Sequence, residues 1–163
     1  MSPQIEEFLS VRLIEQFLFV NVLCLSGGRL ADTESQKRFM VFLAEKNQNV
    51  CGIGTVGFDI VDMPWDRNSF DDDKTFMLRV IEGARHKLGW ETLGYVPNEA
   101  FVAEYLDKFQ KLVECMTAEN ILEGSLNEWL SEAEENDPVR CGFPKCKIHD
   151  AYISIHGCQV CLD

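Results

Sequence analysis

No run of about 18 uncharged apolar residues, the length a membrane-crossing helix needs, occurs in this sequence; its most apolar segment covers only residues 17–25. No basic stretch precedes that segment either. Glu6, Glu7 and Glu15 stand there instead, against the pattern of a secretory leader, so a cytoplasmic protein that crosses no membrane is expected. Cationic side chains are scarce: 15 Lys and Arg face 27 Asp and Glu, for a net charge of −12. Such a surface repels phosphate backbones, which disfavours nucleic acid and suits a basic protein partner. Histidine is scarcer still, with three in the chain and only His86 before residue 140. Gly-x-Ser-x-Gly, His-Glu-x-x-His and Gly-rich phosphate loops ending in lysine are all missing, so none of the hydrolase, zincin or P-loop signatures applies.

What is present favours helices. Apolar content of 46% supports a buried core. Leu9, Leu13, Phe17, Val20 and Cys24 recur at three- and four-residue steps, which predicts a helix over 5–25 that Gly27-Gly28 should stop. Thr33 with Gln36 reads as a capping box opening a second helix, which ends at Asn47-Gln48-Asn49. Residues 50–61 turn β-branched and glycine-rich, the composition of a short strand or hairpin. The spacing of Gly52, Gly54 and Gly57 matches a dinucleotide loop, but a helix precedes it and Pro64 follows, the reverse of the required strand-to-helix order. Asp62, Trp65 and Asp66 lie in a polar loop, where the tryptophan is either tucked under the body or offered to a partner. Ser69 is expected to cap a helix with Asp71, Asp72 and Asp73 in its first turn and Gly89 as its stop. Asn98 opens another helix to about Met116, and Thr117 opens one more through Leu130 before Pro138.

Seven cysteines, an odd number without a leader, do not suggest a disulfide framework. Cys24, Cys51 and Cys115 stand singly and are expected to be small buried hydrophobes. The other four crowd into the last two dozen residues with His149 and His156. Cys146-x-x-His149 and Cys158-x-x-Cys161 are two pairs of soft ligands separated by eight residues, the form in which tetrahedral zinc is usually delivered. With Tyr152-Ile-Ser-Ile155 between the pairs and Gly157 before the second, this tail resembles a zinc ribbon of the Cys-x-x-His…Gly-Cys-x-x-Cys kind. That resemblance covers the tail alone and implies a structural metal site; it implies nothing about activity. Cys141, five residues before Cys146, is an alternative fourth ligand in place of His149.

The expected fold class is therefore mainly α (α+β). An acidic helical body over 1–137, with the strand or hairpin near 50–61, should precede a zinc-ribbon-like element over 138–163. Three basic and two acidic residues give that element a charge of +1, leaving −13 on the body. Two functions compete. One is a non-catalytic protein-binding module, concretely a bacterial immunity protein or antitoxin that masks a basic toxin, with Asp62, Trp65 and Asp66 in contact. The other is a nucleic-acid-associated regulator using Arg140, Lys145, Lys147 and Tyr152 of the ribbon.

Overall fold

Helix α1 (Leu13–Leu30) is the centre about which the others pack. In the computed structural model residues 13–48 and 60–161 are described, with side chains over 19–45 and 60–161; the predicted start of the first helix at residue 5 lies outside them. Residues 19–28 are buried without interruption, as expected for a helix apolar nearly all round. Around it stand α2 (Glu34–Gln48), α3 (Phe70–Arg85) and α4 (Glu99–Cys115), each in contact with α1. A short α5 (Ser125–Ser131) completes the described helices. Phe19 of α1 meets Phe109 of α4 edge-on at 5.5 Å. Trp65 sits between Phe39 of α2, at 4.8 Å, and Phe70 of α3, at 5.2 Å. Its indole N–H donates to the Ile60 carbonyl at 2.8 Å, so the one polar atom of that buried ring is satisfied.

The expected stop at Gly27-Gly28 does not occur, and α1 continues to Leu30. Glycine in a helix interior costs about 0.5–1 kcal/mol relative to alanine, and here close packing explains its use. A Cβ on Gly27 would lie 2.2 Å from the Met40 side chain, and one on Gly28 would lie 2.2 Å from the Asp150 carbonyl oxygen. Tertiary contact thus overrides local propensity. The Thr33 capping box is present: the Gln36 amide donates to Thr33 Oγ1 at 3.1 Å and the Thr33 amide to Gln36 Oε1 at 3.1 Å.

Ser69 occupies the N-cap position of α3, yet it makes no cap hydrogen bond. Its hydroxyl donates instead to Asp73 Oδ2 at 2.8 Å, and Ser35 Oγ donates to the same oxygen at 2.6 Å. Asp73, 1% exposed, thereby ties α2 to α3. Burial raises its pKa, while the two hydroxyls and the charge of Arg38 work in the opposite direction. A folded-state pKa above the unfolded value means that Asp73 favours folding below the unfolded pKa, and that this contribution is lost as pH rises through the folded one. Asp73→Asn removes the titration. Its stability relative to the parent should therefore improve between pH 4 and pH 7, as read from urea melts at the two values.

Gly89 (φ 85°) lies at the turn after α3 as expected, and Asn98 Oδ1 accepts from the Phe101 amide at 3.2 Å to cap α4. The helix expected from Thr117 through Leu130 is broken. A 3-10 turn at Ala118–Asn120 is followed by Gly124 at φ 79°, and only then by α5. A positive φ ends one helical path and begins another, a break the periodicity did not reveal. Of the strand or hairpin expected near 50–61, residues 50–59 lie outside the described residues; Ile60 and Val61 belong to a 3-10 turn. Among the described residues β structure is confined to two isolated antiparallel bridges in the tail. None of the described helices is long and apolar enough to cross a membrane.

Candidate metal centre

A 3-10 turn at Pro138–Arg140, capped by the Asp137 carboxylate on the Val139 amide at 3.0 Å, leads the chain out of the helices. The next segment doubles back. Lys145 bridges Tyr152, the Cys146 amide donates to the Ala151 carbonyl at 2.8 Å, and the Asp150 amide donates to the Cys146 carbonyl at 2.9 Å. Asp150 takes a positive φ of 56° to close this turn. A second tight turn follows, where Ser154 and Gly157 exchange backbone hydrogen bonds at 3.0 and 2.9 Å. The first turn carries Cys146 and His149, and the second leads into a further turn that carries Cys158 and Cys161.

Cys146, His149, Cys158 and Cys161 converge so that their ligand atoms all lie within 4.8 Å of one another. His149 Nδ1 is 3.7 Å from Cys146 Sγ, 3.7 Å from Cys158 Sγ and 3.3 Å from Cys161 Sγ. The Cys146 and Cys161 sulfurs are 3.6 Å apart. Three sulfurs and one imidazole nitrogen therefore surround a point from four sides, and the group can hold a metal ion. Cys158 and His149 are buried, Cys146 is half-buried and Cys161 is exposed.

The three thiols of the cluster differ in how readily they ionise. Burial pushes the Cys146 thiol up, but the backbone amides of His149 and Ile148, the His149 ring and Cys158 more than offset it, bringing it to about 6. Burial raises Cys158, assisted by the neighbouring Cys146 sulfur. Burial and then the adjacent Cys146 and Cys158 sulfurs drive Cys161 to about 12. One thiol ionises readily and the other two resist, first because burial disfavours a charged sulfur and then because neighbouring sulfurs repel. A divalent ion at their centre would offset both effects and let all three serve as thiolates.

Cys141, the alternative ligand, is elsewhere. It is exposed and its thiol donates to the Glu135 carbonyl at 3.3 Å. His156 is exposed as well, outside the cluster. Of the single cysteines, Cys24 is buried as expected and Cys115 is exposed at the end of α4, while Cys51 lies outside the described residues. Asp62 is exposed and Asp66 half-buried, with its carboxylate capping Asn68 at 2.9 Å; Trp65, 2% exposed, is tucked into the core.

The support of the cluster comes from α1, which sequence reasoning missed. Arg29 Nη1 donates to the His149 carbonyl at 2.9 Å and to the Leu25 carbonyl at 3.0 Å. Lys145 Nζ donates to the Gly28 carbonyl at 2.6 Å. The carbonyls at the C-terminal end of α1 are thus met by two cations, and one of those cations also fixes the backbone of a ligand. The only sequence signal was a basic residue directly after Gly27-Gly28. Outer contacts of this kind typically carry 10- to 100-fold in metal affinity. Arg29→Met is expected to weaken metal binding about tenfold or more, measured by competition with a chromophoric chelator.

Comparison with known protein families, with curated proteins and with solved structures finds no match.

Proposed function

We propose that this protein is a non-catalytic binding protein whose C-terminal element is a zinc ribbon in miniature, holding one structural zinc through Cys146, His149, Cys158 and Cys161. The convergence of four protein ligands carries this reading. A tetrahedral zinc with sulfur at about 2.3 Å and nitrogen at about 2.0–2.1 Å sets edges of about 3.8 Å between sulfurs and about 3.5 Å between sulfur and nitrogen. The separations of 3.3–3.7 Å between these atoms agree with those edges. Four protein ligands complete the coordination shell, and a catalytic zinc keeps a position for water or substrate. The backbone amides aimed at the Cys146 and Cys158 sulfurs suit thiolates bound to a metal. Two antiparallel bridges on so short a segment support the ribbon description.

The working surface in this proposal is the acidic body. A net charge of −12 favours rapid, salt-dependent association with a basic protein, and an immunity protein or antitoxin that masks a cationic toxin is the concrete form. The nucleic-acid alternative loses contact residues. Lys145 is engaged with Gly28 and Asp150, Arg140 donates to the Ala133 and Leu130 carbonyls, and Tyr152 is buried. Affinity capture at low and high salt tests the proposal. A cationic protein that binds stoichiometrically at low salt, with affinity falling as salt rises, supports it. Retention of no basic protein at either salt, or a shift of DNA or RNA at low salt, contradicts it.

A further inference from the structure

We propose that Cys161 is an oxidation site, at which hydrogen peroxide joins it to Cys146, expels the metal and frees the C-terminal element from α1. The inference rests on the zinc reading above and adds to it a chemical means of opening the centre.

Accessibility selects the residue. Cys158 and His149 are each 8% exposed and Cys146 is half-buried, whereas Cys161 is open to solvent, so a small polar oxidant reaches Cys161 first. Distance selects the partner. The Cys161 and Cys146 sulfurs are already in contact at 3.6 Å, and a disulfide needs them to close to about 2.05 Å. In the first step the Cys161 thiolate attacks one peroxide oxygen. An S–O bond forms, the O–O bond breaks, and the departing hydroxide takes a proton from solvent to become water. In the second step the Cys146 thiolate attacks the Cys161 sulfur and displaces the second hydroxide, which is likewise protonated. Two electrons pass from the two sulfurs to peroxide, two protons are consumed, and two waters and one disulfide result. The metal loses two of its three anionic ligands.

The consequence reaches the helical body because the ligand turn is seated on it. His149 presents its carbonyl to Arg29, and Asp150 and Ala151 lie against Gly28, where even a methyl group would sit 2.2 Å from the Asp150 oxygen and 2.9 Å from the Ala151 Cα. Ala151, Tyr152 and Val160 are buried in the common core. When the metal leaves, the His149 ring is released from the cluster, and the turn is left held against α1 only by the Arg29 and Lys145 hydrogen bonds and its apolar contacts. A metal centre so placed couples the redox state of two thiols to the exposure of an apolar seam.

Full-length, zinc-loaded protein is titrated with hydrogen peroxide while free zinc is followed with a chromogenic chelator. Disulfides are mapped by peptide mass spectrometry, and amide hydrogen exchange is recorded. One zinc released per Cys146–Cys161 disulfide, with faster exchange at 25–31 and 146–153 and recovery on adding dithiothreitol and zinc, is the expected result. The double variant Cys115→Ser/Cys141→Ser, which removes two exposed thiols outside the cluster, should release zinc at an unchanged rate. Zinc that stays bound at peroxide doses oxidising Cys115 and Cys141 in the parent overturns the proposal and leaves the zinc site standing. A disulfide to Cys141, or release without faster exchange at α1, also overturns it. Protein that binds no zinc before peroxide is added defeats both readings.

Discussion

Replacing Cys158 by serine should strip the metal from the protein and unfold residues 144–161, while α1 to α4 retain their helical signal. Cys158 is both a member of the four-ligand cluster and part of the buried core, so the substitution removes a thiolate and leaves a hydroxyl in its place. The free energy of binding a structural zinc is folding free energy for the segment that wraps it, on the order of 10 kcal/mol in small zinc peptides. A segment of this size has little apolar surface to replace that contribution. A loss of several kcal/mol for the tail is expected, visible as lost metal content and a separate early transition in urea. Cys141→Ser is the matched control. Its exposed thiol lies outside the cluster, and the expected change is within about 0.5 kcal/mol.

Gly28→Val should destabilise the protein although it removes a glycine from a helix. In an isolated helix such an exchange is neutral or favourable, since glycine is the poorest helix former after proline. Here the new Cβ alone would stand 2.2 Å from the Asp150 oxygen and 2.9 Å from the Ala151 Cα, and both are backbone atoms that no side-chain rotation moves. Overpacking of this kind costs about 1–3 kcal/mol, and valine adds two further methyl groups. Since the obstacle lies between α1 and the ligand turn, the damage should concentrate there. Hydrogen exchange is expected to rise at 146–153, with metal affinity reduced. A variant as stable as the parent, with protection unchanged at 146–153, would show that the tail does not bear on Gly28.

These two sites also mark where the sequence was legible and where it was not. The Cys/His cluster was readable because metal chemistry demands particular residue types at short spacing, and Cys146-x-x-His149 with Cys158-x-x-Cys161 meets that demand locally, although spacing alone left Cys141 as an alternative to His149. The helices over 34–48, 70–85 and 99–115 were readable for the same kind of reason: caps and apolar periods are short-range signals. Gly27-Gly28 misled because a helix stop and a close helix-to-loop contact both call for glycine, and only the distant Asp150 distinguishes them. Ser69 held the N-cap position, but its hydroxyl found Asp73 instead, a choice set by the arrival of Ser35 from another helix. Gly124 was overlooked because a single positive φ leaves the hydrophobic pattern on either side unbroken. Trp65 in a polar loop allowed two positions, and contacts with Phe39 and Phe70 from two helices placed it inside. In each case the missing information was a partner from another element or a single backbone angle.

The tail is thus joined to the body through Arg29, Gly28 and Lys145, which meet the turn that carries Cys146 and His149. Native mass spectrometry of the purified chain, before and after treatment with a strong chelator, tests the central claim most directly. One zinc per chain is expected, lost on chelation together with new reactivity of Cys146, Cys158 and Cys161 toward an alkylating reagent. A chain that carries no metal when purified under reducing conditions, takes up none when zinc is supplied, and alkylates at all three of these cysteines from the start would contradict it.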